Sequence, residues 1–405
     1  MKNKKIIYNN SIQKRHLNSK INKKLNKEYV YIISKIIKNL NKTKNNFHSL
    51  SNEYKLNYKS KDLNSFKKYK TVVVIGMGGS ILGSEAIYDF LKGKIKKNFI
   101  FFDNIDKEKL QKIKNYNNLA KILFIIISKS GSTIETLSNL LALQVAKKNS
   151  KNLIIISEKK DNPLHLLSNK MNLLHIKHNN YVGGRYSVFS EASLVPAYLM
   201  GINIIRLRKN VLDHFKSKKQ NFLKDSAIKM TNLLKKGKFK NIIFLNYIPK
   251  LDKFLQWNQQ LIAESLGKKG RGFLPLISTA PKDHHSLLQL YLDGPKDKLF
   301  YIFCSNIKDD RKINSKILGK NFNFLNNKSL SQIKIAQKNA LIEVFKKNNI
   351  PFREFNINDF SEEVLGELFS FFMLETSLIG NLAKINPFNQ PAVDQVKINT
   401  KKILI

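Results

Sequence analysis

The amino-acid sequence predicts an α/β protein with two doubly wound, mainly parallel sheets and helical segments at both ends. Runs rich in β-branched and aromatic residues alternate with helix-length segments, and this alternation begins near Lys70 and begins again after Gly201. The chain has 405 residues, more than a single hydrophobic core usually supports. Strands separated by helices favour parallel sheets covered on both faces, so we expect two such domains in tandem.

The N-terminal part precedes the first sheet. Residues 1–45 are rich in lysine and asparagine and contain one amphipathic stretch at 29–40, which predicts a helical segment. The first α/β domain is then expected to span residues 46–200. Its strands are predicted at residues 71–75, 98–102, 122–128 and 152–157.

The second α/β domain is expected to span residues 201–380. Its strands are predicted at residues 241–246, 273–278, 299–306 and 352–357, and a helical segment follows at 362–379. A C-terminal segment, residues 381–405, closes the chain with a polar tail around 386–400.

The composition is typical of a folded protein in a reducing compartment. Hydrophobic residues make up 42% of the chain and aromatic residues 10%, which argues against disorder. The longest apolar runs, such as residues 123–127, are too short to span a bilayer, and polar residues interrupt the basic N-terminus before a signal-peptide core. The single cysteine, Cys304, cannot form an internal disulfide. We therefore expect a cytoplasmic protein without a membrane partner.

The formal net charge of +43 raises the question of an anionic partner such as nucleic acid. The lysines are scattered from end to end among asparagine and isoleucine, without the arginine and aromatic clusters of a dedicated nucleic-acid surface. A compositional bias accounts for this pattern, so no nucleic-acid partner is predicted. The positive field still favours anionic over neutral small ligands.

The first predicted strand runs directly into a glycine-rich turn, residues 76–83, and a helix begins just after it. Glycines let backbone amides approach an oxyanion closely, and the helix N-terminus adds partial positive charge. Gly79 and Ser80 are the candidate binding residues. A nucleotide-binding turn is the alternative, but Asp103 after the second strand lies in turn-like surroundings.

A second strand-to-helix turn, residues 128–136, is crowded with hydroxyl groups. Its candidate phosphate-binding residues are Ser128, Lys129, Ser130 and Thr133. Hydroxyls and free amides at a helix start can hold a phosphate dianion, although ordinary helix capping uses the same residue types. Turns at the carboxyl ends of parallel strands share one crevice, so the pair predicts a phosphate-binding cleft.

The two turns together resemble the sugar-phosphate-binding domain of the glucose-6-phosphate isomerase (phosphoglucose isomerase) family. The resemblance implies two sugar-isomerase (SIS-type) domains and the reversible conversion of glucose 6-phosphate to fructose 6-phosphate, a step of glycolysis and gluconeogenesis. Four later segments match the family's motifs in the same order: residues 183–187 (GGRYS), residues 260–268 (QLIAESLGK), the motif of His285, Ser286 and Gln289, and residues 386–397 (NPFNQPAVDQVK).

Glu264 matches the family's catalytic base, and the chemistry of the reaction requires such a group. Interconverting an aldose and a ketose moves a proton between adjacent carbons, so one base must remove it and return it through an enediol-like intermediate. Gln260 lies four residues before Glu264, which puts both side chains on one face of a helix. We therefore expect both to reach one pocket.

The resemblance implies three further catalytic residues. Arg185 matches the arginine that stabilises the charged intermediate, and a preorganised cation is the expected partner of an enediolate. His285 and Lys397 match the groups that assist opening of the sugar ring, and the ordinary pKa of a histidine suits such proton transfer. In the family this histidine comes from the neighbouring subunit, so a homodimer with shared active sites is implied.

The predicted ligand is a small sugar phosphate, and neither a metal nor a cofactor is predicted. The proton shuttle needs none, and the consecutive Asp283, His284 and His285 cannot easily converge on one tetrahedral ion. The residues predicted to bind substrate are Gly79, Ser80, Ser128, Lys129, Ser130, Thr133, Gly184, Gln260 and Gln390.

Three other functions remain open at this level. A non-catalytic sugar-phosphate-binding module would need neither Glu264 nor Lys397. A bifunctional phosphoglucose/phosphomannose isomerase would also accept mannose 6-phosphate. A basic nucleic-acid binder would bind DNA with a steep dependence on salt and without isomerase activity.

Overall fold

Two five-stranded sheets form the framework of the part of the chain that the computed structural model describes, residues 5–42, 44–116, 118–309 and 311–405. The strands are β1 (Ile6–Asn10), β2 (Thr71–Gly76), β3 (Asn98–Phe102), β4 (Ile122–Ile127), β5 (Leu153–Ser157), β6 (Leu174–Lys177), β7 (Asn241–Asn246), β8 (Leu274–Thr279), β9 (Lys298–Cys304) and β10 (Phe352–Ile357). The first sheet has the order β3-β2-β4-β5-β6 and is parallel throughout. The second has the order β1-β10-β9-β7-β8 and is parallel except for β1.

Helices cover the sheets. They are α1 (Ser19–Asn39), α2 (Ser60–Leu63), α3 (Leu82–Leu91), α4 (Lys107–Lys114), α5 (Ile134–Leu143), α6 (Pro163–Met171), α7 (Glu191–Leu199), α8 (Ile204–Arg208), α9 (Ser217–Lys236), α10 (Asp252–Leu266), α11 (Leu288–Leu292), α12 (Leu330–Lys347), α13 (Glu362–Leu382) and α14 (Asp394–Ile403). Strand β4 is buried along its whole length, as a parallel strand covered on both faces should be. In β2, Val72 and Val74 face one core and Val73 and Ile75 face another.

The edge strand β8 differs from the central strands. Leu274 is 57% exposed and Leu276 is 40% exposed, while Pro275 between them is buried. Side chains alternate between the two faces of a strand, so the face of β8 that carries Leu274 and Leu276 lies open over its first part and is covered again at Ser278. The second sheet therefore presents apolar side chains at this edge.

Helix α10 joins the two sheet units. It packs against α3, which follows β2 of the first sheet, and against the almost completely buried helix α13. Among the aromatic contacts that hold it, the rings of Trp257 and Phe369 meet edge to face at 4.7 Å. The packing of α3 on α10 brings the glycine-rich turn of the first unit next to the C-terminal half of α10.

The predicted fold class is confirmed, and all eight predicted strands are present within two residues of their predicted ends. Two strands, β1 and β6, were not predicted. The N-terminal segment is therefore not wholly helical, because Ile6–Asn10 is a strand that pairs with β10 before α1 begins; residues 1–4 lie outside the described residues. Its sequence, IIYNN, lacks the regular alternation that identifies a strand. The domain boundaries stay predictions.

The strand order of the first sheet reverses between β2 and β4. From β2 the chain continues to β3 on one side, whereas from β4 it continues to β5 on the other side. The carboxyl ends of two strands diverge there into the turns before α3 and α5, and open α/β sheets bind ligands in such crevices. Across the described residues, none of the helices combines the length and the apolar character needed to cross a bilayer.

Candidate active site

The glycine-rich turn makes close backbone contacts that only glycine permits. Gly78 has a φ of +52°, and a Cβ atom on it would lie 2.7 Å from Nε2 of Gln260. A Cβ atom on Gly79 would lie 2.2 Å from the carbonyl carbon of Gly184. The Ser187 hydroxyl ties the same two segments by donating to the carbonyl oxygens of Gly79 at 3.0 Å and Gly184 at 2.7 Å. The turn, which contains the short helix Gly78–Ser80, thus lies directly on the GGRYS segment.

The hydroxyl-rich turn groups polar side chains at the end of β4, in the crevice expected where the two turns diverge. The hydroxyls of Ser128 and Thr133 lie 2.8 Å apart, and Ser130 is exposed beside them. No side chain caps the N-terminus of α5 among the described residues, so its first backbone amides can serve a ligand. Burial lowers the pKa of Lys129, and the nearby Lys160 and Arg185 add to this effect against Glu158. The cleft therefore combines hydroxyls, amides and a cation.

Glu264 and Gln260 lie one turn apart on α10, as predicted. Nε2 of Gln260 donates to Oε1 of Glu264 at 3.0 Å, and an Nη atom of Arg185 donates to Oε2 at 2.9 Å. Both carboxylate oxygens thus have a donor. The Glu264 side chain is still 30% exposed, which leaves the carboxylate accessible to a ligand. A carboxylate held in this way is preorganised for proton transfer.

Arg185 is the most enclosed charge of the site, since its side chain is 2% exposed. It lies in the short helix Gly184–Phe189, and its Nε donates to the Ser265 hydroxyl at 2.8 Å. Its other nitrogens donate to the carbonyl oxygens of Pro387 at 2.7 Å and Asn389 at 3.1 Å and to the side chain of Gln390. Glu264 compensates its charge, as a buried cation requires.

Three distant parts of the chain thus converge on one point. The first sheet unit supplies Arg185, the second supplies Glu264, and the C-terminal segment supplies Gln390. A cavity of about 790 Å³ opens beside Glu264, between the end of α10 and residues 385–393. The arrangement offers a carboxylate base beside a fixed cation, with an anion cleft in the neighbouring unit.

Two predicted catalytic residues lie outside this cluster. His285 follows the short helix Lys282–His284, is exposed, and forms no side-chain hydrogen bond among the described residues. Lys397 lies on α14, is 63% exposed, and pairs with Asp394 across 3.5 Å. Neither side chain contacts Glu264 or Arg185 through a hydrogen bond or ion pair within the described chain. The isolated chain therefore brings together only part of the predicted site.

Sequence reasoning gave no role to two residues that the site uses. The Ser265 hydroxyl accepts a hydrogen bond from Arg185 and lies 3.0 Å from the Tyr186 hydroxyl, so it holds these two residues of the GGRYS segment. Lys268 donates to the carbonyl oxygen of Asn386 at 2.6 Å. Both lie in residues 260–268, the segment that contains Glu264. Their position in that segment is the sequence feature that could have marked them as site residues. Among the described residues, no group of three His, Cys, Asp or Glu side chains could hold a metal ion.

Comparison with known proteins identifies related sequences over most of the chain. The sequence model of the family described as phosphoglucose isomerase matches residues 9–404. A glucose-6-phosphate isomerase of Mycoplasmopsis pulmonis is 35% identical over 363 residues, which cover 84% of this chain and 84% of that protein. One from Methanocaldococcus jannaschii is 34% identical over 348 residues, which cover 82% of this chain and 84% of that protein.

Solved structures share the fold. A hypothetical protein from Thermus thermophilus superposes with a TM-score of 0.79 at 23% identity and covers 98% of this chain and 99% of its own. A glucose-6-phosphate isomerase from Chlamydia trachomatis superposes with a TM-score of 0.70 at 21% identity, over 84% of this chain and 71% of its own. At these identities the likeness establishes the architecture.

Proposed function

The chain belongs to the phosphoglucose isomerase family, and from that membership we propose that Glu264 and Arg185 form the centre of its active site. The protein is an aldose-ketose isomerase that interconverts glucose 6-phosphate and fructose 6-phosphate. The observation that supports the proposed site best is the pair of donors, Gln260 and Arg185, on the two oxygens of Glu264.

In the proposed mechanism the open-chain sugar lies with its reacting carbons against Glu264. The carboxylate removes the proton from one carbon and returns it to the adjacent carbon, and the enediolate formed in between carries negative charge. Arg185 stabilises that charge from a position that is already fixed by five hydrogen-bonding partners, so no reorganisation is needed when the charge develops.

The phosphate of the substrate is proposed to bind in the hydroxyl cleft of the first unit. Hydroxyl groups, the free amides of α5 and the Lys129 ammonium together suit a dianion. Binding energy gained there, away from the reacting carbons, can orient the sugar toward Glu264. The proposed substrate-binding residues are Ser128, Lys129, Ser130 and Thr133 for the phosphate and Gly79, Ser80, Gly184, Gln260 and Gln390 for the sugar.

A coupled assay tests the activity and separates it from the bifunctional alternative. We expect the purified chain to convert fructose 6-phosphate to glucose 6-phosphate, measured through reduction of NADP⁺ by added glucose-6-phosphate dehydrogenase. Mannose 6-phosphate is offered in a parallel reaction, because any fructose 6-phosphate made from it would enter the same readout. Lack of turnover with fructose 6-phosphate would contradict the function, and turnover with mannose 6-phosphate would widen it.

We further propose a homodimer in which each active site receives His285 of the partner subunit. Within one chain His285 is exposed, and its side chain forms no hydrogen bond or ion pair with Glu264 among the described residues. It lies between β8, whose Leu274 and Leu276 are exposed, and α11, whose Leu290 is 49% exposed. Exposed apolar side chains around a needed catalytic group suit an interface with a second copy. Lys397 and the partner's His285 would assist opening of the sugar ring.

Subunit mixing tests the shared site. We expect Glu264→Gln and His285→Ala each to be nearly inactive alone, because every site then lacks one group. After unfolding and refolding a one-to-one mixture, half of the dimers should be mixed, and each of these holds one intact site. Activity should then recover to about a quarter of that of the unmodified protein. No recovery, with mixed dimers detected by mass spectrometry, would contradict the shared site.

The cytoplasm is the proposed location of the enzyme, where glycolysis takes place. The one cysteine, Cys304, is buried, and burial raises the pKa of its thiol, which keeps it in the unreactive thiol form. The high positive charge is proposed to attract anionic sugar phosphates rather than nucleic acid.

A further inference from the structure

Lys268 has a rigidly held backbone directly after the helix that carries Glu264. Its amide donates to the carbonyl oxygen of Arg271 at 2.9 Å, and the amide of Arg271 donates back at 3.0 Å. Lys269 and Gly270 between them both have a positive φ, at 54° and 68°, which closes a tight turn. The origin of the Lys268 side chain is therefore fixed relative to α10.

The side chain of Lys268 turns back over the end of α10 and reaches the C-terminal segment. Its Nζ donates to the carbonyl oxygen of Ser265 at 3.1 Å and to that of Asn386 at 2.6 Å. Burial and the charge of Arg185 lower the pKa of Lys268 to about 8, while Glu264 opposes this effect. Both acceptors are backbone carbonyl oxygens, one at the end of α10 and one in the C-terminal segment. The Lys268 side chain therefore connects these two parts of the chain.

Two cations of the active site thus hold one short stretch of backbone, residues 386–389. Lys268 binds the carbonyl of Asn386, and Arg185 binds the carbonyls of Pro387 and Asn389. The stretch leads directly to Gln390 and then to α14, which carries Lys397. The side chains of α14 are exposed, so the position of this helix depends largely on the stretch from which it starts.

We propose that Lys268 is a positioning residue, which anchors residues 386–389 to the helix of the catalytic base and so sets where Gln390 and Lys397 stand. This proposal rests on the proposed function of the same site. Arg185 cannot do this alone, because its guanidinium also faces Glu264 and the charge that develops in the reaction. Among the described residues Lys268 forms no hydrogen bond or ion pair with Glu264, and it can hold the segment throughout the catalytic cycle.

Replacement of Lys268 tests the proposal, with Lys269→Met as the matched control because that side chain loses the same charge beside the same cavity. We expect Lys268→Met to lower kcat about ten- to a hundredfold with little change in KM, since the phosphate cleft lies in the other unit. Lys268→Arg should retain most of the activity. Hydrogen exchange of residues 386–393 should become faster in Lys268→Met and stay unchanged in Lys269→Met.

A double-mutant cycle then identifies the group through which Lys268 acts. In a Lys397→Ala background, Lys268→Met should lower kcat by a smaller factor than in the unmodified enzyme, because only the part of the loss that passes through Gln390 remains. Equal effects of Lys268→Met and Lys269→Met, unchanged exchange in residues 386–393, or fully additive losses in the cycle would each overturn the proposal. If the unmodified chain had no isomerase activity, the proposed function would be refuted instead. The exchange measurement would then still test whether Lys268 anchors residues 386–393.

Discussion

Glu264→Gln is expected to lower kcat for fructose 6-phosphate by about 10²–10⁴-fold or more, since an amide cannot take up and return the substrate proton. The substitution keeps the size of the side chain and an oxygen that can accept from Arg185. Binding of the sugar phosphate should persist, because its phosphate is proposed to bind in the separate hydroxyl cleft. A non-catalytic binding module would keep its ligand in the same way, but it would have no turnover to lose.

The measurement has two parts, turnover in the coupled assay and binding of glucose 6-phosphate by calorimetry. Glu343→Gln is the matched control, because Glu343 is an exposed helical glutamate on α12 with no ion pair among the described residues. Melting temperatures of both variants should be compared, since Arg185 is buried and loses its charged partner in Glu264→Gln. Unchanged turnover in Glu264→Gln would remove the carboxylate from the mechanism.

Arg185→Lys is the second substitution with a large expected effect. It retains the positive charge but not the planar set of donors, and a lysine cannot reach the five partners that Arg185 binds. We expect kcat to fall by about 10²–10³-fold, which corresponds to roughly 3–4 kcal/mol of transition-state stabilisation. KM should change less, because the arginine acts mainly on charge that develops during the reaction.

Arg206→Lys is the control for this change. Arg206 also binds a carboxylate, Glu363, but its side chain is 48% exposed and forms no bond to Glu264 among the described residues. Turnover of the control should match that of the unmodified enzyme. If Arg185→Lys lowered the melting temperature but kept kcat, the arginine would be a structural ion-pair partner and not a stabiliser of the intermediate.

Much of this arrangement was accessible from the sequence because local spacing determines it. The four-residue spacing of Gln260 and Glu264 predicted a shared helix face, and their side chains are hydrogen-bonded at 3.0 Å. Long apolar runs identified the central strands, since buried parallel strands are apolar on both faces. The contact between Arg185 and Glu264 has no such local signal. It depends on the packing of α3 against α10, and only the family resemblance anticipated that the two residues act together.

The remaining features depend on backbone groups or on distant partners. Lys268 binds a carbonyl oxygen of Asn386, and any residue type could supply that acceptor, so no sequence pattern marks it. The tail predicted around residues 386–400 contains the helix α14, whose Asp394 in the first turn and Lys401 and Lys402 in the last favour a helix. Polar composition concealed this helix, because its apolar residues are few.

The pairing of β1 with β10 has a consequence for how the protein is made. β1 is synthesised long before β10, yet the two strands pair with Ile6 opposite Ile357, and the Tyr8 hydroxyl donates to Glu367 at 3.1 Å. The first sheet can assemble during translation, but the second must wait for the far end of the chain. During that interval the N-terminal strand is an unpaired edge, and such edges are where nascent chains associate wrongly. We therefore expect chaperones to act mainly by shielding β1 until β10 has been synthesised.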